Sequence, residues 1–170
     1  MTSSLRADRL SRLHPIMRPD ISAILDKLEA ESAERFKIVL VSTYRTPEEQ
    51  WMLYKRGRQY IHDTLRNRMV WEQNGPIVTR ALPWQSAHCW KLAADIALLS
   101  LDTGHYLDDN DPLWNRIGEL AKGRGLEWGG DWKAPQIRDC PHIQWPDWKN
   151  FVGIDALNRQ RDLFMATLRG

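Results

Sequence analysis

Asp95 is the residue whose placement most needs a chemical explanation. It stands inside the apolar run from Ala93 to Leu99, where a carboxylate is costly to bury unless a cation or hydrogen-bond donors meet it. His88 lies seven residues upstream, an odd spacing that puts the two side chains on opposite faces of any continuous strand. A loop holding His88 that feeds a strand holding Asp95 resolves the conflict. Asp139-Cys140-Pro141-His142 offers a second imidazole, with a further carboxylate three residues before it. Two imidazoles and one carboxylate around a zinc ion leave residual positive charge and an open coordination position. Such a centre lowers the pKa of a bound water to roughly 7 and polarises a carbonyl. Asp139, beside the metal without binding it, is then placed to take a proton and pass it to a leaving amine. That chemistry is hydrolytic.

Other ligand-type residues read as bystanders. Asp102-Thr103-Gly104-His105 repeats the D-x-x-H spacing and runs into Asp108, Asp109 and Asp111. No apolar segment frames it, and it lacks the glycine and terminal glutamate of a calcium loop, so it reads as solvated. His14 and His62 lie in basic surroundings and are expected at the surface. Cys89 and Cys140 have no C-x-x-C partner and make no disulfide framework. They are expected to be free, partly buried thiols turned away from the metal.

These groups need elements to hold them. Lys37 to Ser42 reads as a buried, β-branched strand. Thr46, Pro47 and Glu49 form a capping box that opens a helix through Trp51 and Tyr54, stopping at Gly57. Residues 59 to 71 read as weakly helical, and Asn74-Gly75-Pro76 is a break. Asp20 is placed to cap a helix with Ile21, Ile24, Leu25 and Leu28 on one face. Asp111-Pro112 opens another, carrying Trp114, Ile117, Leu120 and Ala121 and ending at Gly123 or Gly125. Residues 127–132 read as a turn and residues 142–145 as a short strand. A last helix over about residues 155–168 presents Leu157, Leu163, Phe164 and Leu168. Short strands mixed with helices, without regular alternation, define an α+β class.

The chain of 170 residues fits a single domain over residues 1–170. A net charge of only +2 argues against a nucleic-acid partner. Lys55, Arg56, Arg58, Arg66 and Arg68 read instead as solvated helix faces. No run of apolar residues is long enough for a membrane span. The N-terminus lacks the apolar block of a secretory signal, which predicts cytoplasmic synthesis and another exit for any work at the cell wall. Nine Trp suit either a ligand groove or a core.

The chain resembles the zinc peptidases of bacterial cell-wall peptides, which share the Hedgehog-like fold. These are the D-alanyl-D-alanine carboxypeptidases and dipeptidases, and the L-alanyl-D-glutamate endopeptidases that phages use as endolysins. The resemblance rests on ordered blocks spanning roughly residues 38–145: Ser42 to Gln50 with Leu53-Tyr54 and Gly57-Arg58; Val78-Thr79-Arg80-Ala81 leading to Ser86-Ala87-His88 and Ala93 to Ile96; Gly125 to Trp132; and Asp139 to Gln144. It implies a small antiparallel sheet flanked by helices, and one zinc per chain on His88, Asp95 and His142. It implies Asp139 as general base, where many relatives have Glu, and Arg45 facing the substrate carbonyl oxygen. Ser86, Gln50 and Trp128 are the expected substrate contacts. The implied partner is bacterial peptidoglycan, met by a monomer that a holin releases if the chain is a phage endolysin. The favoured activity is hydrolysis of the L-Ala–D-Glu bond of the stem peptide. The alternatives are a D-alanyl-D-alanine carboxypeptidase or dipeptidase and a non-catalytic wall-binding module, which would have no use for Asp139. Two departures stand out: Lys91 where the family has Gly, which predicts a different loop between His88 and Asp95, and an insertion over residues 59–74.

Overall fold

A mixed sheet-and-helix architecture emerges in the computed structural model, which describes residues 3–32, 34–64, 68–108 and 110–168. The site is carried by an antiparallel sheet of β1 (Phe36–Ser42), β4 (Ala93–Ser100), β5 (Glu127–Trp128) and β6 (His142–Gln144), in the spatial order β1-β4-β6-β5. Strand β1 alternates as a half-covered strand must: Phe36, Ile38 and Leu40 are buried while Lys37 and Val41 face outward. Its register against β4 shifts between Leu40 and Ser42, which brings Ser42 opposite Asp95. One face of the sheet is covered by α1 (Ser3–Ser11), α2 (Arg18–Ser32) and α4 (Leu113–Lys122).

The locally encoded helices match the sequence reading closely. Ile21, Ile24, Leu25 and Leu28 of α2 are all buried. The helix starts at Arg18, however, so Asp20 sits in its first turn, where a carboxylate suits the dipole, and is not the cap. Helix α3 (Pro47–Lys55) opens on the full capping box: Thr46 Oγ1 accepts from the Glu49 N–H at 3.2 Å, and Glu49 returns the bond to the Thr46 N–H at 2.8 Å. Asp111 Oδ1 accepts from the Leu113 N–H at 2.8 Å at the start of α4, and Gly123 closes that helix.

Two expectations fail. Residues 59–71 are not helical: β2 (Arg58–Asp63) and β3 (Arg68–Gln73) form a separate antiparallel hairpin, with Tyr60 opposite Trp71 and Ile61 opposite Val70. Aromatic and β-branched cross-strand pairs outweigh the weak helical preference of the polar residues between them. Arg66, assigned above to a helix face, lies outside the described residues. The C-terminal helix forms close to its expected bounds as α6 (Ile154–Thr167), after a short α5 (Trp148–Val152), but of its four expected apolar positions only Leu157 is buried. Leu163 and Leu168 stay exposed, while Asn158, Arg161, Phe164 and Met165 are partly covered on the same side as Leu157.

The loop at Lys91 also differs from expectation, in an instructive way. The tight turn is kept, and Lys91 itself adopts the left-handed conformation at φ 64°. Its N–H bonds back to the His88 carbonyl at 3.1 Å, and its own carbonyl accepts from the His14 N–H at 2.8 Å. A side chain in this region costs roughly 1–2 kcal/mol. Lys91→Gly should therefore raise the unfolding free energy by about 0.5–1 kcal/mol in denaturant titrations, after allowing for the looser unfolded chain. A decrease would mean that the Lys91 ammonium over the Tyr44 ring, 5.4 Å away, outweighs the backbone strain.

Candidate metal centre

His88 is held on a 3-10 turn, Ala87–Trp90, that precedes β4, as the odd spacing to Asp95 requires. Its Nδ1 lies 2.7 Å from the Thr43 carbonyl oxygen. That oxygen can only accept, so Nδ1 carries the proton and Nε2 presents its lone pair. Asp95 and His142 are directly opposite each other in β4 and β6, which places both side chains on one face of the sheet. Asp95 Oδ1 is 3.1 Å from His88 Nε2 and 3.1 Å from His142 Nδ1.

The orientation of His142 comes from further along the same face. Its Nε2 lies 3.0 Å from Gln144 Oε1, and the Gln144 amide nitrogen donates to Glu127 Oε2 at 2.9 Å. Since a carboxylate only accepts, Gln144 must turn its oxygen to His142, whose Nε2 then donates and whose Nδ1 lone pair faces Asp95. Glu127 is opposite Gln144 in register, and its other oxygen accepts from the Trp132 indole at 2.5 Å. Ile143 points the opposite way into the core, fully buried, as period-two alternation demands.

With neutral imidazoles, three acceptors therefore converge on one point: two nitrogen lone pairs and a carboxylate oxygen, all within 4.8 Å of one another. Such a set asks for a cation, and its two imidazoles and single carboxylate suit zinc. The outer bonds to Thr43 and Gln144 are those that fix ligand tautomers in metal sites. Burial works to raise the Asp95 pKa, but the facing imidazoles outweigh it and hold the carboxyl well below its usual range. Burial works to lower His142, yet the bond and charge of Asp95 raise it above an ordinary histidine.

Asp139 lies beside this cluster without joining it. Burial, reinforced by the charge of Asp95, raises its pKa, against the pull of both imidazoles and Arg45. The turn that carries it is pressed onto Gly129, which accepts from the Asp139 N–H at 3.0 Å. A Cβ at Gly129 would come within 2.5 Å of the Asp139 carbonyl oxygen and 3.0 Å of His142 Cβ. Only glycine permits that approach.

Arg45 extends its guanidinium to Asp95 Oδ2 at 3.4 Å and to Gln50 Oε1 at 2.9 Å. Gln50 is 1% exposed and its amide donates to the Ala81 carbonyl at 2.8 Å. It is a strut beneath Arg45, which corrects its expected role as a substrate contact. Trp128 requires the same correction. It is 4% exposed, its indole donates to the Cys140 carbonyl at 2.8 Å, and a Cβ on Gly118 or Gly130 would come within 2.3 or 2.1 Å of its ring. It is a core residue. Ser86 does line the groove above the cluster, a cavity of about 1080 Å³ shared with Arg45, Arg80, Trp132 and Asp139.

Cys89 and Cys140 form no disulfide and lie outside the cluster, and both are fully buried where partial burial was expected. The Asp102–His105 loop is exposed, and Asp109 lies outside the described residues. Sequence reasoning missed Thr43, Gln144 and Glu127 as orienting groups. The alternation of His142-Ile143-Gln144 signals Gln144 as a face-mate of His142, and Glu127 becomes visible only once β5 is paired. Thr43 acts through its backbone and leaves no side-chain signal.

An imidazole-carboxylate centre opening into a groove suits a metal-dependent hydrolase, and similarity to known proteins gives that class. Residues 79–145 match the D-alanyl-D-alanine carboxypeptidase family of M15 peptidases. The chain is 33% identical over 142 residues to the peptidoglycan L-alanyl-D-glutamate endopeptidase CwlK of Bacillus subtilis (strain 168), covering 79% of this chain and 74% of CwlK. Its fold is similar to that of the Serratia marcescens L-Ala D-Glu endopeptidase ChiX, with a TM-score of 0.50 at 18% identity over 86% of this chain and 90% of that one. It is similar also to VanYB in complex with D-alanine-D-alanine, with a TM-score of 0.51 at 16% identity over 89% and 77% of the two chains. A VanY D,D-pentapeptidase in complex with Zn(II) aligns with a TM-score of 0.51 at 16% identity, over 86% and 76%. The chain belongs to the M15 peptidase family.

Two outcomes follow for metal binding. Gln144→Ala frees the His142 ring to turn, so zinc affinity should fall about 10- to 100-fold in competition titrations with a chelating dye while the fold is kept. Because the metal-free His142 holds its proton to higher pH than an ordinary histidine, zinc must displace that proton. Affinity should therefore drop as pH falls, by up to about tenfold per unit. A flat profile from pH 8 to 6 would contradict it.

Proposed function

We propose that the chain is a zinc-dependent peptidase that hydrolyses the stem peptide of bacterial peptidoglycan, between L-Ala and D-Glu. The observation that carries this reading is the converging set on His88, Asp95 and His142 with an uncommitted carboxylate, Asp139, beside it in the groove. Similarity to CwlK over most of both chains supports the choice of bond. Zinc, when bound, supplies Lewis-acid polarisation of a carbonyl and makes a water more acidic. Asp139 takes the proton of the attacking water and returns it to the departing amine of D-Glu. In the metal-free protein, burial and the charge of Asp95 raise its pKa against the pull of both imidazoles and Arg45. Arg45, braced by Gln50, presents a fixed guanidinium toward the oxygen on which charge develops. Cutting at this bond severs every cross-link carried by a stem, which supports wall lysis, and so an endolysin role, as the outcome.

A second reading, removal of a terminal D-Ala, is favoured by the family matched over residues 79–145. Arg80, Arg138 and Lys149 all line the groove and would suit a free terminal carboxylate. They suit the one free carboxylate of D-Glu within the stem equally well. Arg124, by contrast, is turned away into a pair with Asp20 at 3.1 Å. The remaining alternative, a binding module without catalysis, leaves Asp139 without a purpose. Glu127 is engaged in holding the site, each of its oxygens accepting a hydrogen bond, one from Trp132 and one from Gln144.

Asp139→Asn should retain one zinc per chain and the fold while turnover falls by several orders of magnitude. Loss of zinc would make Asp139 a ligand, and near-normal turnover would remove it as the base. Mass spectrometry of digested cell wall should show new D-Glu amino termini and little free D-Ala. Free D-Ala as the main product would establish the carboxypeptidase reading.

A further inference from the structure

The β2–β3 hairpin lies outside the 79–145 family match and has a chemistry of its own. Tyr60 and Trp71 face each other across the strands, with ring centroids 4.9 Å apart and planes tilted by 32°. Trp51 of α3 meets Trp71 edge-on at 5.4 Å and stacks on Tyr54 at 5.6 Å. None of these four rings is buried, and Tyr60 is 54% exposed. Core formation therefore does not explain the cluster, and an isolated two-stranded hairpin gains little stability by itself. Cations already occupy two of the ring faces: Arg58 lies 4.0 Å above Tyr54, and Lys55 lies 5.8 Å from Trp51. Gln59 and Glu72 form a polar pair at 3.2 Å on the opposite side of the hairpin.

The base of the hairpin is continuous with the wall of the groove. Arg58 Nη2 donates to the Thr79 carbonyl at 2.9 Å, and Thr79 lines the groove with Arg80 and Ala81. The Asn74 N–H donates to the Gly57 carbonyl at 3.0 Å. Gly57, at φ +73°, sits so close to Pro76 that a Cβ would lie 2.1 Å from its oxygen.

We propose that this aromatic hairpin is a saccharide platform that holds the N-acetylated amino-sugar strand of peptidoglycan while the stem peptide occupies the groove. A sugar ring has an apolar C–H face, which suits the exposed ring of Tyr60 beside the half-buried Trp71. The inference rests on the reading of peptidoglycan as substrate. L-Ala is the stem residue nearest the sugar, so a stem bound in the groove brings its own glycan to the adjoining surface. Binding both parts of one molecule raises the effective concentration of each.

Two measurements test it on the zinc-loaded full chain. In the first, glycan strands freed of stem peptides are titrated while tryptophan fluorescence is followed. Saturable binding is expected, weakened about tenfold in Tyr60→Ala and kept in Tyr60→Phe, which preserves the ring. No binding, or binding indifferent to Tyr60→Ala, overturns the platform, as does a response to teichoic acid in place of glycan. In the second, the ratio of cleavage on intact wall to cleavage on free stem peptide is compared. It should fall about tenfold in Tyr60→Ala; an unchanged ratio, or an equal loss on both substrates, overturns the proposal. If the wild type binds glycan but cleaves neither substrate, the proposed function fails and the platform stands. If it cleaves free stem peptide without binding glycan, the platform fails and the function stands.

Discussion

A single carboxylate oxygen, Asp95 Oδ1, placed 3.1 Å from two imidazole nitrogens, is the constraint on which the rest of the site depends. Acceptors brought this close repel unless a proton or a metal ion lies between them. The protein arranges both imidazoles so that lone pairs face inward. Thr43 holds one proton on the far side of His88, and Gln144 holds the other on the far side of His142. Glu127 in turn fixes Gln144, and Trp132 engages Glu127. The chain of bonds runs outward from the centre with each donor and acceptor assigned.

The sheet supplies this arrangement by pairing. Asp95 opposite His142 and Gln144 opposite Glu127 are cross-strand neighbours on one face, while Ile143 and Trp128 on the other face seal the core. The same few residues of β6 therefore serve chemistry and packing in alternation. Glycines allow the layers to close: Gly129 admits the Asp139–His142 turn, and Gly118 and Gly130 accept the Trp128 indole. Rigidity at the centre is thus a consequence of core packing immediately behind it.

Legibility in the sequence followed the range of each interaction. The Thr46 capping box and the buried stripe of α2 are local, and both were readable in full. The odd spacing of His88 and Asp95 required a turn feeding a strand, which is what forms. The union of Asp95 with His142, 47 residues apart, was suggested by residue type and made specific only through resemblance, because no local pattern encodes a register. Gln50 and Trp128 were assigned to substrate because sequence proximity to the site does not reveal which way a side chain points. The hairpin was misread for a related reason. Tyr60 and Trp71 stabilise each other across strands, and residues 59–71 taken singly are polar enough to suggest a helix. At Lys91 the reasoning about positive φ was sound, but the turn is held by enough surrounding bonds to impose that conformation on a lysine.

The most direct measurement is an anomalous-scattering crystal structure at the zinc edge of the zinc-loaded protein. One ion is expected, about 2.0–2.2 Å from His88 Nε2, Asp95 Oδ1 and His142 Nδ1, with His142 Nε2 still bonded to Gln144 and Asp139 unligated. Coordination through the opposite nitrogen of either histidine, or through Asp139, would contradict the assignment of lone pairs from which the site is built.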